Sequence, residues 1–106
     1  MQNQLTRGLK RRLMYVENKS GLVDGASARI GWVEFSRSGR SVLYRGLTLS
    51  RIKGGGVSGN YFEVGSGSEF WVSGVKERGS NAHPAERAGT VVVDEDAREA
   101  YEGLRK

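Results

Sequence analysis

Nucleophilic and metal chemistry both need side chains that this sequence supplies sparingly. It holds one histidine, His83, and no cysteine. Thiol nucleophiles, thiolate metal sites and disulfides are therefore excluded. A Ser-His-acid arrangement would have to run through His83, which lies beside the only proline, Pro84, in a polar stretch. No Gly-x-Ser-x-Gly elbow supports it: Gly65-Ser66-Gly67 is too short and joins two strand-like runs. A solvated loop histidine is the simpler reading. Zinc sites draw on several His or Cys side chains. The acidic cluster Asp94-Glu95-Asp96 is explained by helix N-terminal chemistry without an ion. Lys53-Gly54-Gly55-Gly56 is glycine-rich and carries a lysine, but it lacks the Gly-Lys-Ser/Thr ending of a P-loop. No catalytic residue, metal ligand or cofactor is assigned.

The combination that remains is basic and aromatic. Small barrels bind single strands by stacking bases on aromatic rings while Lys and Arg follow the phosphates. Tyr61 and Trp71 are expected on the outward face of one hairpin. Tyr44, Arg45, Arg51 and Lys53 lie in the neighbouring region, and Arg37 and Arg40 crown a second hairpin. Glu63 and Glu69 share the expected outward face and would repel phosphate. No RNP1, KH or zinc-finger pattern is present. A competing reading places Tyr61 and Trp71 over a second small core beneath a C-terminal helix.

The charge is unevenly spread. Residues 1–45 carry nine Lys/Arg and three Asp/Glu, a balance of +6; residues 46–75 balance to zero; residues 76–106 carry six basic and seven acidic residues, a balance of −1. The sum is the net +5 of the chain. A basic first half attracts phosphates or an acidic protein surface.

Elements to position these residues are short. Sixteen glycines in 106 residues are about twice the usual share of roughly 7%, which favours turns and bulges over long helices. Residues 1–12, with Arg7, Lys10, Arg11 and Arg12, read as a basic flexible arm. Residues 13–106 read as one domain. Leu13–Glu17 and Ala28–Ser36 read as strands. In the second, Ile30 and Trp32 lie on one face and Val33 and Phe35 on the other, so a bulge near Gly31 is expected. Ser41–Gly46 is read as a return strand running on through a kink at Gly46 into Leu47–Ile52. Asn60–Val64 and Glu69–Val75 form the clearest hairpin. Phe62, Val64, Phe70 and Val72 are expected inside; Tyr61, Glu63, Glu69 and Trp71 outside. Lys76–Gly89 reads as a loop and Thr90–Val93 as a strand. Asp94 is placed as the N-cap of a closing helix with Ala97, Tyr101 and Leu104 on one stripe. The fold class is mainly β: a small, strongly bent antiparallel sheet or SH3-like open barrel with one C-terminal helix.

The runs Met14-Tyr15-Val16-Glu17-Asn18-Lys19-Ser20-Gly21, Phe35-Ser36-Arg37-Ser38-Gly39-Arg40, Tyr44-Arg45-Gly46, Asn60-Tyr61-Phe62 and Trp71-Val72-Ser73-Gly74 resemble those of a group of small uncharacterised bacterial proteins. The resemblance spans residues 13–102 and implies no activity. Members are sometimes labelled deoxyxylulose-phosphate synthase. A thiamine-diphosphate enzyme of that kind needs large α/β domains and a metal-diphosphate site, which one domain of this size does not provide.

The expected function is non-enzymatic: binding of single-stranded DNA or RNA through Arg37, Arg40, Tyr44, Arg45, Arg51, Lys53, Tyr61 and Trp71. The alternative is a protein-binding or self-associating module. No membrane span or secretory signal is read, which leaves the cytoplasm as the expected compartment.

Overall fold

The computed structural model describes residues 10–54, 59–76 and 91–105. Seven strands are described: β1 (Lys10–Asn18), β2 (Ala28–Phe35), β3 (Ser41–Tyr44), β4 (Leu47–Arg51), β5 (Tyr61–Glu63), β6 (Glu69–Gly74) and β7 (Val91–Val93). A 3-10 turn (Glu95–Ala97) leads into helix α1 (Arg98–Leu104). Strands β1 to β6 follow one another as an antiparallel meander, and β1 pairs with both β2 and β6. The sheet therefore closes on itself as a six-stranded barrel, which removes its free edges. β7 is an extra strand, parallel to β2 from Ala28↔Val91 to Ile30↔Val93.

Closure follows from burial on both faces of the β1–β2 ribbon. Val16, Val33, Val42, Tyr44, Leu49, Tyr61, Phe70 and Val72 fill the barrel, with Met14, Phe35 and Leu47 packed against them. Tyr15, Ala28 and Ile30 form a second core outside it, flanked by Leu13, Trp71, Val75, Val91, Val93 and Tyr101. The mixed pattern of β2 thus needs no bulge. Its pairing with β1 runs unbroken from Lys10↔Phe35 to Glu17↔Ala28. Both faces are apolar because both face a core.

Three local expectations change. Lys10, Arg11 and Arg12 belong to β1 rather than to an arm; residues 1–9 lie outside the described residues. Gly46 is not a kink but the second residue of a tight turn. Arg45 (φ 48°) and Gly46 (φ 81°) both take positive φ, and Tyr44↔Leu47 close a two-residue hairpin. The faces of β5 are also exchanged. Tyr61 is buried inside the barrel, Phe62 is half-buried, and Val64 is exposed just past the strand. A three-residue strand with two adjacent aromatics gives no alternation to choose a face by. The phenol decides it: Tyr61 Oη donates to the carbonyl of Gly39 at 2.8 Å across the barrel end.

The second core also holds a buried ion pair. Lys19 Nζ donates to Glu17 Oε2 at 2.6 Å, with side chains 7% and 1% exposed. Tyr15 Oη donates to Glu17 Oε1 at 3.2 Å. Removing one partner strands a charge in a dry site. Lys19→Met should cost about 3 kcal/mol in urea unfolding. Glu17→Met/Lys19→Met should cost less than the two single changes added together. Strict additivity would contradict the pairing.

Candidate functional site

The two ends of the barrel differ. At one end, the β1–β2 connection folds inward. Val23 and Ala26 bridge each other across Asp24-Gly25, and Val23 joins the barrel core. The β3–β4 and β5–β6 turns lie at this plugged end. The other end is open. There β1 begins, the turn between β2 and β3 crosses, β4 finishes and β6 leaves.

The open end is a cup of about 440 Å³. Its floor is Met14, Phe35, Tyr61 and Val72; its rim carries Lys10, Arg12, Arg37 and Arg51. Strand periodicity explains three of these cations. In β1 the inward stripe reads Lys10, Arg12, Met14, Val16, and in β4 it reads Leu47, Leu49, Arg51. Each stripe turns from apolar to cationic where its strand leaves the core. Arg51 lies opposite Tyr61, its guanidinium carbon 5.9 Å from the ring centroid. A second hollow of about 400 Å³, lined by Arg40, Ser50, Arg51, Ile52, Lys53 and Gly54, shares Arg51 with the cup.

Six cations thus border two adjoining hollows, and among the described residues no Asp or Glu lines either. Among the described residues none of the six is ion-paired. Glu63 and Glu69 are engaged elsewhere: Ser66 Oγ donates to Glu63 Oε1 at 2.7 Å, and the Gly59 amide donates to Glu69 Oε1 at 2.8 Å. Ser36 and Ser38 accept backbone amides through their hydroxyl oxygens and keep an O–H to donate.

The expected site residues do not all meet here. Arg37, Arg40, Arg51 and Lys53 gather at the open end, with Tyr61 as a floor rather than an exposed platform. Tyr44 and Arg45 sit at the plugged end. Trp71 is on the outer face, as expected, but half-buried against the second core near α1. Tyr44 is 3% exposed and Tyr61 likewise, so neither offers a ring face to a base. Lys10 and Arg12, read from the sequence as part of a basic arm rather than as site residues of a strand, line the cup. Extending the Met14/Val16 alternation backwards would have found them. His83 lies outside the described residues. Among the described residues no group of His, Cys, Asp or Glu could hold a metal, and no helix is long and apolar enough to cross a membrane.

At the plugged end Tyr44 and Arg45 serve a different purpose. β2 pairs with β3 only at Glu34↔Leu43 and Phe35↔Val42. Further along the same edge, β7 takes the place of β3. Asp94 follows β7 and spans this divided seam. Its amide donates to the Ile30 carbonyl at 2.8 Å. Its carboxylate accepts from Tyr44 Oη at 2.5 Å and Arg29 Nη1 at 3.0 Å, and Arg45 Nη1 stands 3.5 Å away. Asp94 was expected to cap the helix through its side chain. It occupies the N-cap position of the 3-10 turn, yet makes no side-chain cap bond. The carboxylate is used by the seam instead. Arg45 also pairs with Asp24, which holds the Asp24 carboxyl below its usual range through the guanidinium hydrogen bond.

Burial, then the bond to Asp94, pushes the Tyr44 phenol well above its ordinary value. Below about pH 10 folded and unfolded states both keep this proton. Above it the unfolded phenol ionises first, so stability falls by about 1.4 kcal/mol per pH unit on this group's account. Tyr44→Phe should therefore show a shallower alkaline decline than the parent chain, measured by urea midpoints from pH 9 to 11. Identical slopes would contradict it.

No family model, no curated protein and no solved structure matches this chain.

Proposed function

We propose that this chain is a non-enzymatic module that binds single-stranded DNA or RNA, and that it does so at the open end of the barrel. The observation supporting this reading is the run of six cations across two adjoining hollows with no acid among the described residues that line them. Clustered Lys and Arg without counter-charges attract a polyanion and release its condensed counterions. The contact residues are Lys10, Arg12, Arg37, Arg40, Arg51 and Lys53. Phosphate contact rather than base stacking carries the binding, because Tyr44 and Tyr61 are buried. Sequence discrimination should be weak, since phosphate contacts carry no base information.

Fluorescence anisotropy with short labelled oligo-dT and oligo-U at low salt tests this. Binding at micromolar protein or tighter is the expected result; none at low salt would overturn it. Pull-down from nuclease-treated lysate, with light scattering, separates it from the protein-binding alternative. Partners that survive nuclease, together with no affinity for either oligonucleotide, would favour that alternative.

A further inference from the structure

We infer that the cup takes a strand end carrying a phosphate monoester, and that the hollow beside it takes the phosphates that follow. This rests on the nucleic-acid reading above and adds which part of the strand is recognised.

The first ground is shape. The cup opens outward but leads nowhere. Directly beneath its floor the barrel is filled by Val16, Val33, Val42 and Leu49, all fully buried, and by Phe70 at 1% exposure. The far end is plugged by Val23. A strand can enter this hollow but cannot thread through it, which suits a terminus at its base. A volume of about 440 Å³ falls within the range of roughly 300–1,000 Å³ typical of pockets for one small ligand.

The second ground is charge. Lys10 and Arg12 reach the rim from β1, Arg37 from the β2–β3 turn and Arg51 from β4. All four line the same hollow, so their cations converge on one volume rather than lining a track. A phosphate monoester carries about −1.5 to −2 charges near neutral pH, against −1 for an internal diester. Convergent cations favour the more concentrated charge, and arginine forks suit its several oxygens. The O–H groups of Ser36 and Ser38 stand on the same lining. Arg40 and Lys53 in the adjoining hollow, joined through Arg51, offer a path for the next phosphates outward.

The test compares one short sequence in five forms: 5′-phosphorylated, 3′-phosphorylated, hydroxyl at both ends, circular, and the free mononucleotide as competitor. At low salt at least one phosphorylated form should bind about tenfold tighter than the hydroxyl-ended and circular forms. Arg12→Ala/Arg51→Ala should remove that preference. Lys53→Ala should weaken all strands alike and leave it intact. Circular dichroism confirms that each variant is folded. Equal affinity for phosphorylated, hydroxyl-ended and circular strands would overturn end recognition while leaving strand binding standing. A mononucleotide that competes as well as the phosphorylated strand would overturn the assignment to strand ends. No binding of any strand would overturn the proposed function itself.

Discussion

Gly31→Ala should be among the most damaging single-methyl additions to this chain, lowering stability by about 3–5 kcal/mol. Gly31 stands where β2 changes partner, between its pairing with β3 and its pairing with β7. A Cβ there would lie 2.1 Å from Asp94 Oδ2, 2.9 Å from its Cγ and 3.0 Å from Tyr44 Oη. One of these groups must leave. The carboxylate cannot move without loosening its bonds to Tyr44 and Arg29. The phenol is 3% exposed and packed among core side chains. Among the described residues every buried side-chain polar atom has a partner, so the displacement creates orphans where there were none. Domains of this size lose roughly 4–8 °C in Tm per kcal/mol, so a fall of about 15 °C or more is expected in a thermal melt. A double-mutant cycle isolates the cause. If the clash is with the carboxylate, Gly31→Ala should add little to Asp94→Ala. A full additive cost would place the damage elsewhere.

Arg12→Glu/Arg51→Glu should weaken single-strand binding by about a hundredfold or more at low salt. Each lost charged hydrogen bond to phosphate is worth about 1.5–3 kcal/mol, and each glutamate adds repulsion. Both side chains are at the barrel rim rather than in its core, and neither is ion-paired among the described residues. The variant should therefore fold. Arg45→Ala is the control. Arg45 is at the opposite end, held by Asp24 and close to Asp94, so its loss should reduce stability and leave affinity within about twofold of the parent. Equal losses in both variants, measured by anisotropy, would mean that the open end is not the contact surface.

The residues show why the fold was more legible than the site. Hairpins announced themselves through glycine turns and alternating β-formers, and Phe70 and Val72 were placed inside correctly. β2 misled because a strand buried on both faces has no alternation to read. The Arg45-Gly46 turn was hidden because arginine is an unusual first residue for a turn that needs positive φ twice. Its salt bridge to Asp24, 21 residues away, is invisible to a local reading. Asp94 carried a true helix-start signal, yet its carboxylate answers to Tyr44 and Arg29, 50 and 65 positions away. Only closure of the barrel brings these together. The basic residues were counted correctly but grouped by neighbourhood in sequence. Their real division is by strand direction: Arg37, Arg40, Arg51 and Lys53 sit at one end, Arg45 at the other, and Lys10 and Arg12 join the first group because β1 starts there.

The measurement that reaches the central claim most directly is the salt dependence of oligonucleotide affinity in the parent chain and in Arg12→Ala/Arg51→Ala. Four cations on one terminal phosphate and two on the phosphates that follow engage about three to four phosphate charges, which predicts a log–log slope of roughly −2 to −3 for a single strand; the double variant should be distinctly flatter. A slope near zero, or one that those two substitutions leave unchanged, would contradict a phosphate-binding mouth.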